Sequence, residues 1–291
     1  MKLALLKRTI ISIILAAALL PVSLAYGGLP GPLPPPPPPI PMPPPNVGFN
    51  MSKIDDDRGT SGDVTQIEFG TTGNDMIAEY GGTGNVTQII SGGGGNDWLL
   101  QVGGAQTSTQ KTSIGDGNST VYQFGGQADS TLYANGGTTG NQTFIQAGGQ
   151  GNNKMTINDG ANTGTAYIEQ YGGAGNNNME VTGSQGDDII KMYGGQGNNT
   201  MAYDLTDGND VVTILGGGRY NSLTINTQNE INYKLQDYQG HVLFQKGAGG
   251  STITVANLNR ITVLDEDGKV VYTYNAGGVS AIIAPLLLLV D

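Results

Sequence analysis

Leu99-Leu-Gln-Val-Gly103-Gly104, Val121-Tyr-Gln-Phe-Gly125-Gly126 and Phe144-Ile-Gln-Ala-Gly148-Gly149 are three copies of one pattern. Extended in both directions, it places Gly-Gly pairs at Gly81, Gly103, Gly125, Gly148, Gly172, Gly194 and Gly216, in steps of 22 to 24 residues. The residue before each pair is Tyr80, Val102, Phe124, Ala147, Tyr171, Tyr193 or Leu215. Three positions earlier stand Ile77, Leu99, Val121, Phe144, Ile168, Ile190 and Val212, so both columns are apolar throughout. A second turn falls halfway along each repeat, as at Gly70-Thr-Thr-Gly73-Asn74 and Gly92 through Asn96. Each repeat therefore reads strand, turn, strand, turn, and repeats of this length stack into a solenoid. The expected fold is all-β: a parallel β-solenoid of about seven two-strand coils over residues 59–226, roughly 35 Å long at about 4.8 Å per coil.

Alternation along the strands divides inner from outer positions. Two residues beyond Ile77 and its counterparts lies the column Glu79, Gln101, Gln123, Gln146, Gln170, Met192 and Ile214. The other strand's inward column is Gln66, Gln88, Gln110, Leu132, Met155, Met179, Met201 and Leu223. Buried amides need partners. Identical amides one coil apart can supply them to each other as an axial ladder, and Gln66, Gln88, Gln110, Gln101, Gln123, Gln146 and Gln170 are the expected ladder residues.

The flanks read differently. Residues 1–25 carry Lys2, Lys7 and Arg8, an apolar stretch from Ile10 to Leu20, and Ser23-Leu-Ala25. This is the pattern of a cleaved signal peptide, with a membrane anchor as the alternative. It implies a secreted protein of the extracellular space or cell surface. Residues 26–58 include six consecutive prolines, Pro34 to Pro39, and read as a polyproline II linker, a semi-rigid spacer or else a segment that binds a partner domain. Residues 227–276 lose the repeat, and Asp265-Glu-Asp-Gly268 between alternating runs signals a β-hairpin, so this segment is the expected C-terminal cap. The tail 277–291 is apolar but too short to span a bilayer.

Composition narrows function. The chain has 291 residues, a net charge of -11, 48 glycines, one histidine and no cysteine. Cleavage after residue 25 leaves it three charges more acidic, which opposes binding to nucleic acid. Disulfides and thiolate metal sites are excluded, and nucleophilic sites built on Ser-His or Cys-His have one histidine, His241, to draw on. With few basic residues in the array beside its carboxylates, a polysaccharide-active enzyme is the weaker reading, and the chain is read as no enzyme. An ice-binding face would use the outward column Thr65, Thr87, Thr109 and Thr131, but its neighbouring column Ile67, Ile89, Lys111 and Tyr133 is irregular.

Two families share features with these repeats. Asn118-Ser-Thr-Val-Tyr-Gln123-Phe-Gly-Gly and Asn141-Gln-Thr-Phe-Ile-Gln146-Ala-Gly-Gly resemble curlin repeats, the subunits of bacterial curli. That resemblance implies a matrix protein of biofilms that assembles into amyloid-like fibres, with surface polysaccharide or other matrix proteins as partners in adhesion; self-association through the solenoid ends is expected at the N-terminal coil near Gly62–Phe69, which has no evident cap. Gly92-Gly-Gly-Gly-Asn-Asp97-Trp-Leu99 is similar to the glycine-rich calcium-binding repeats of RTX proteins, with partial matches from Gly70 to Ile77, Gly183 to Ile190 and Asp207 to Val212 that carry Asp75, Asp188 and Asp210. It implies Ca2+ between stacked turns, at the pairs Asp75/Asp97 and Asp188/Asp210, with Ser119, Gln142 and Thr163 on the intervening turns. The alternative for these four residues is local turn bonding, which Asp commonly provides.

Overall fold

The computed structural model describes Leu29 and residues 31–45, 48–227 and 231–276. The signal peptide and the apolar tail read from the sequence lie outside the described residues.

The period of the glycine pairs becomes a two-sheet solenoid. The first sheet takes β1 (Met51–Asp56), β3 (Asp75–Tyr80), β5 (Trp98–Val102), β7 (Thr120–Phe124), β9 (Gln142–Ala147), β11 (Ala166–Tyr171), β13 (Ile189–Tyr193) and β15 (Val211–Leu215). The second takes β2 (Val64–Phe69), β4 (Val86–Ser91), β6 (Ser108–Ser113), β8 (Ser130–Asn135), β10 (Asn153–Asn158), β12 (Asn177–Thr182), β14 (Asn199–Asp204) and β16 (Asn221–Asn226). Every strand in these two runs pairs in parallel with its counterpart one coil away. In the first sheet, Ile77 meets Leu99, which meets Val121, and the column continues through Phe144, Ile168, Ile190 and Val212 to Ile253. These side chains are at most 1 % exposed and form the spine of the core.

The close stacking of turns explains the glycines. A Cβ on Gly126 would lie 2.2 Å from the carbonyl oxygen of Gly104, one coil below. At the opposite corner Gly117 adopts φ +128°, a left-handed conformation that a side chain disfavours.

The C-terminal segment does more than cap. After β16 the chain forms an antiparallel hairpin of β17 (Tyr233–Asp237) and β18 (Val242–Lys246). It then returns as β19 (Ser251–Ala256), inserted between β15 and β17, and β20 (Arg260–Leu264), which continues the second sheet beside β16. β21 (Val270–Asn275) closes that sheet antiparallel to β20 across the turn read from Asp265 to Gly268. Counting β1/β2 and β19/β20 with the pairs between them makes nine coils, two more than the seven expected from the glycine pairs. The extra coils escape the glycine pattern. β1 lies within the span read as linker, and the other coil is separated from the array by the β17–β18 hairpin.

The two ends are closed by different chemistry. Tyr233, Phe244 and Tyr272 stack over the C-terminal end, with ring centroids 5.8 and 5.5 Å apart. At coil one, Lys53 and Asp55 stand in register with the inward Ile77 and Glu79. Lys53 forms an ion pair with Glu68 of β2. Charges that point into an end coil oppose the addition of further strands.

The proline tract does not extend away as a spacer. Leu29 exchanges backbone hydrogen bonds with Leu258 and Asn257 at coil nine, and the Asn257 side-chain amide donates to the Pro32 carbonyl at 2.7 Å. A Cβ on Gly31 would sit 2.1 Å from Ala256 Cβ. At the other end, the Asn50 amide donates to the Asn74 carbonyl beside coil one. Between these anchors Ile40 packs on an apolar cluster that includes Tyr80, Leu100, Phe124, Tyr171 and Tyr193. The tract is thus a strap along the outer face of the first sheet. Its length fits: residues 31–45 as polyproline II reach about 46 Å, and eight coil steps take about 38 Å.

Candidate functional site

The glutamines expected in the interior are there, each at most 1 % exposed. In the first sheet the Nε2 of Gln101 donates to Glu79 Oε2 at 3.1 Å, and Gln123 donates to Gln101 Oε1 at 2.9 Å. Gln146 donates to Gln123 at 2.7 Å and Gln170 to Gln146 at 2.9 Å. Each amide spends its second hydrogen on a carbonyl of the opposite sheet in its own coil: Lys111, Tyr133, Thr156 and Glu180 in turn. One column therefore links coils along the axis and sheets across it. The ladder stops at Gln170, whose Oε1 has no donor because the next coil supplies Met192. Glu79 ends the other side, and burial pushes its carboxyl up to about 8, which keeps it protonated near neutral pH.

The second glutamine column is shorter. Gln88 donates to Gln66 at 2.8 Å, but Gln110 donates instead to the Phe124 carbonyl at 2.8 Å. The Oε1 atoms of Gln88 and Gln110 have no donor, so these three residues form one rung and not a ladder.

A further ladder was not anticipated. Asn153 donates to Asn177 at 2.8 Å, Asn177 to Asn199 at 2.7 Å, and Asn199 to Asn221 at 2.7 Å. All four are buried. Asn153 and Asn199 also accept from the turn amides of Gly149 and Gly195. The signal was an asparagine five positions after the first glycine of each late pair, which resembled ordinary turn chemistry. This ladder runs in the opposite sense: each asparagine donates toward the C-terminal coil, each glutamine toward the N-terminal one.

The four candidate calcium residues fall on one corner, paired one coil apart as read. The Asp75 amide donates to Asp97 Oδ1 at 3.0 Å, and the Asp188 amide to Asp210 Oδ1 at 3.0 Å. Asp75 accepts from the backbone and hydroxyl of Thr71, and Asp188 from those of Ser184. Tyr203 donates its hydroxyl to Asp210 at 2.7 Å. Ser119, Gln142 and Ala166 fill the intervening places; the register puts Ala166, not Thr163, opposite Gln142. Calcium requires six to eight oxygen ligands. Asp75, Asp188 and Asp210 accept from N–H or O–H donors, Asp97 Oδ2 has no donor, and among the described residues no group of three acidic or histidine side chains is placed to hold a metal. The bonds these four residues make are the local turn bonds that were the alternative to a metal site. Burial moves Asp97 and Asp210 up to about 7.

Two outer surfaces remain. On the second sheet a shallow trough of about 630 Å³ is lined by serine, threonine and asparagine, including Thr109, Thr131, Asn178 and Thr200, with Lys154 and Asp129 its charged members. On the first sheet the strap covers the aromatic stripe. Trp98 lies half-buried beside that stripe and 5.8 Å from Tyr122. His241 is exposed and bonds Asp237 Oδ2 at 2.9 Å within the β17–β18 turn. No protein-family model matches the chain, and no curated protein or solved structure is detectably similar to it.

Proposed function

We propose that this chain is a secreted structural or adhesive β-solenoid of the cell surface or extracellular matrix. The observation that carries the reading is where the polar chemistry goes. Glutamine, asparagine and aspartate side chains are consumed in bonds between coils, which stiffen a rod. The surface left over is a long polar trough and a strapped aromatic face. The glutamine ladder is the feature shared with curlin repeats, and it supports the matrix reading. The end chemistry favours discrete rods over open fibres, because hairpins seal coil nine and an ion pair fills coil one.

The test is genetic. The chain is removed from its source, and surface attachment and the location of a tagged copy are measured. The expected outcome is weakened attachment, with the tagged chain recovered from the surface or matrix. Undiminished attachment and a tagged chain retained inside the cell would overturn the proposal.

A further inference from the structure

The outer face of the second sheet carries an inference that rests on the matrix reading and names the partner. At the corner before its strands, exposed asparagines one coil apart are locked by the backbone. Asn152 Oδ1 accepts from the Asn176 amide at 3.1 Å, Asn176 Oδ1 from the Asn198 amide at 2.9 Å, and Asn198 Oδ1 from the Tyr220 amide at 3.2 Å. Each oxygen is consumed along the axis, while each Nδ2 has no partner among the described residues. The fold thus holds a row of rigid amide donors, one per coil, along the polar trough. Two residues further along the strands runs a second exposed row, Thr131, Lys154, Asn178 and Thr200. These side chains make no bond within the described residues either.

Aromatic rings flank the rows. One coil beyond Asn198 stands Tyr220, 52 % exposed, and two residues along β8 from Thr131 stands Tyr133, 37 % exposed. Neither ring packs on the two apolar clusters of the fold.

We propose that this trough binds a neutral, extended polysaccharide of the β-1,4-linked kind, one sugar ring per coil. Amides and hydroxyls without internal partners suit a ligand rich in hydroxyl and ring oxygens. Exposed tyrosines offer an apolar face beside a polar tip, on which a pyranose ring stacks. Lys154 and Asp129 are the charged residues that line the trough, and a net charge of -11 repels polyanions, so the chemistry selects an uncharged chain. The rows are straight and repeat at about 4.8 Å, close to the advance per sugar of a flat β-1,4 chain. A glycan that winds, as amylose does, leaves such rows at once. The trough crosses the coils of β6 to β14, about 19 Å at that spacing.

The test is calorimetric titration of the purified full chain with cellohexaose, chitohexaose, maltohexaose and an alginate hexamer. Saturable binding of cellohexaose or chitohexaose is expected, and of neither other; the first two separate a plain from an N-acetylated glycan. Asn176→Asp keeps the oxygen that accepts the next amide and removes the donor. Asp63 and Asp129 already stand in this column, accepting from the Asn85 and Asn152 amides, so the fold accommodates the change. Joined to Tyr220→Ala it should weaken binding about tenfold while the circular dichroism spectrum stays that of the parent. Thr131→Val with Thr200→Val, which breaks no internal bond, should also weaken binding and gives an independent reading. No binding of either β-1,4 hexamer, equal binding of maltohexaose or alginate, or full affinity in these folded variants would each overturn the proposal. A chain retained inside the cell that still binds would sink the matrix reading and uphold this site; a surface chain that binds no glycan would sink the site alone.

Discussion

Gln123 and Gln110 have the same side chain and the same complete burial, but different partners. Replacing each with leucine isolates the worth of the ladder. Gln123→Leu removes the bonds to Gln101 and from Gln146, and the bond to the Tyr133 carbonyl. Gln101 Oε1 keeps its bond from the Thr112 hydroxyl, and Gln146 keeps its bond to the Thr156 carbonyl, so neither amide is wholly stranded. An unmade buried bond costs about 1–3 kcal/mol. With two ladder bonds broken and partial rescue at each end, the expected loss is about 2–4 kcal/mol. At about 2 °C per kcal/mol for a chain of this size, melting falls by roughly 4–8 °C. Gln110→Leu sacrifices one bond, to the Phe124 carbonyl, and also removes an acceptor that has no donor. Its neighbour in the column is already Leu132, so the expected change is within about 1 kcal/mol. Thermal melting followed by circular dichroism compares the two. Equal losses in both variants would refute the ladder as a source of stability.

The remaining expectations concern protons, metal, asparagine and the strap. Burial raises Glu79 to about 8 and Asp97, Asp159 and Asp210 to about 7, so the folded chain holds protons that the unfolded chain releases. The stability they confer is complete below the unfolded carboxylate range near pH 4 and drains as pH rises through 7 and 8. Melting should be higher at pH 5 than at pH 8.5, and Glu79→Gln should flatten the difference; a profile that rises with pH contradicts the assignment. Calcium and a chelator should leave the melting temperature of the parent chain equal, and a rise with calcium would restore the metal reading of Asp75, Asp97, Asp188 and Asp210. Asn177→Ala breaks two ladder bonds and one to the Gly175 carbonyl, for an expected loss of about 2–4 kcal/mol by chemical denaturation. Gly31→Val places a side chain against Ala256 and should lift the strap, so that acrylamide quenches the single tryptophan, Trp98, more efficiently; unchanged quenching would show the stripe uncovered in the parent.

The solenoid was legible because its evidence is repeated. Gly-Gly pairs mark one corner of each coil, where a Cβ would strike the coil below, and the Ile77 and Gln101 columns emerge in the structure with the register read from spacing. Features that occur once were harder to see. Met51–Asp56 has no glycine pair, and its inward Lys53 and Asp55 look like linker residues. β19 and β20 complete a coil, but the β17–β18 hairpin interrupts the period before them. The strap depends on contacts more than 200 positions apart, such as Pro32 with Asn257, and no local pattern announces them. The asparagine ladder was hidden because Asn serves exposed turns as readily as buried ones, as the exposed Asn96 and Asn118 on the opposite corner demonstrate.

The two amide ladders overlap in a way that bears on how the rod would break. Glutamine bonds run from the coil of Glu79 to the coil of Gln170, and asparagine bonds from the coil of Asn153 to the coil of Asn221. The two runs share the coils of β9/β10 and β11/β12, as the halves of a scarf joint share a length of timber. Every boundary from the second coil to the eighth is therefore crossed by at least one buried side-chain bond in addition to the backbone. The Gln88–Gln66 bond carries the same reinforcement down to the first coil, so tension along the axis finds no unreinforced plane between the first coil and the eighth, and the rod has no built-in line along which to part there.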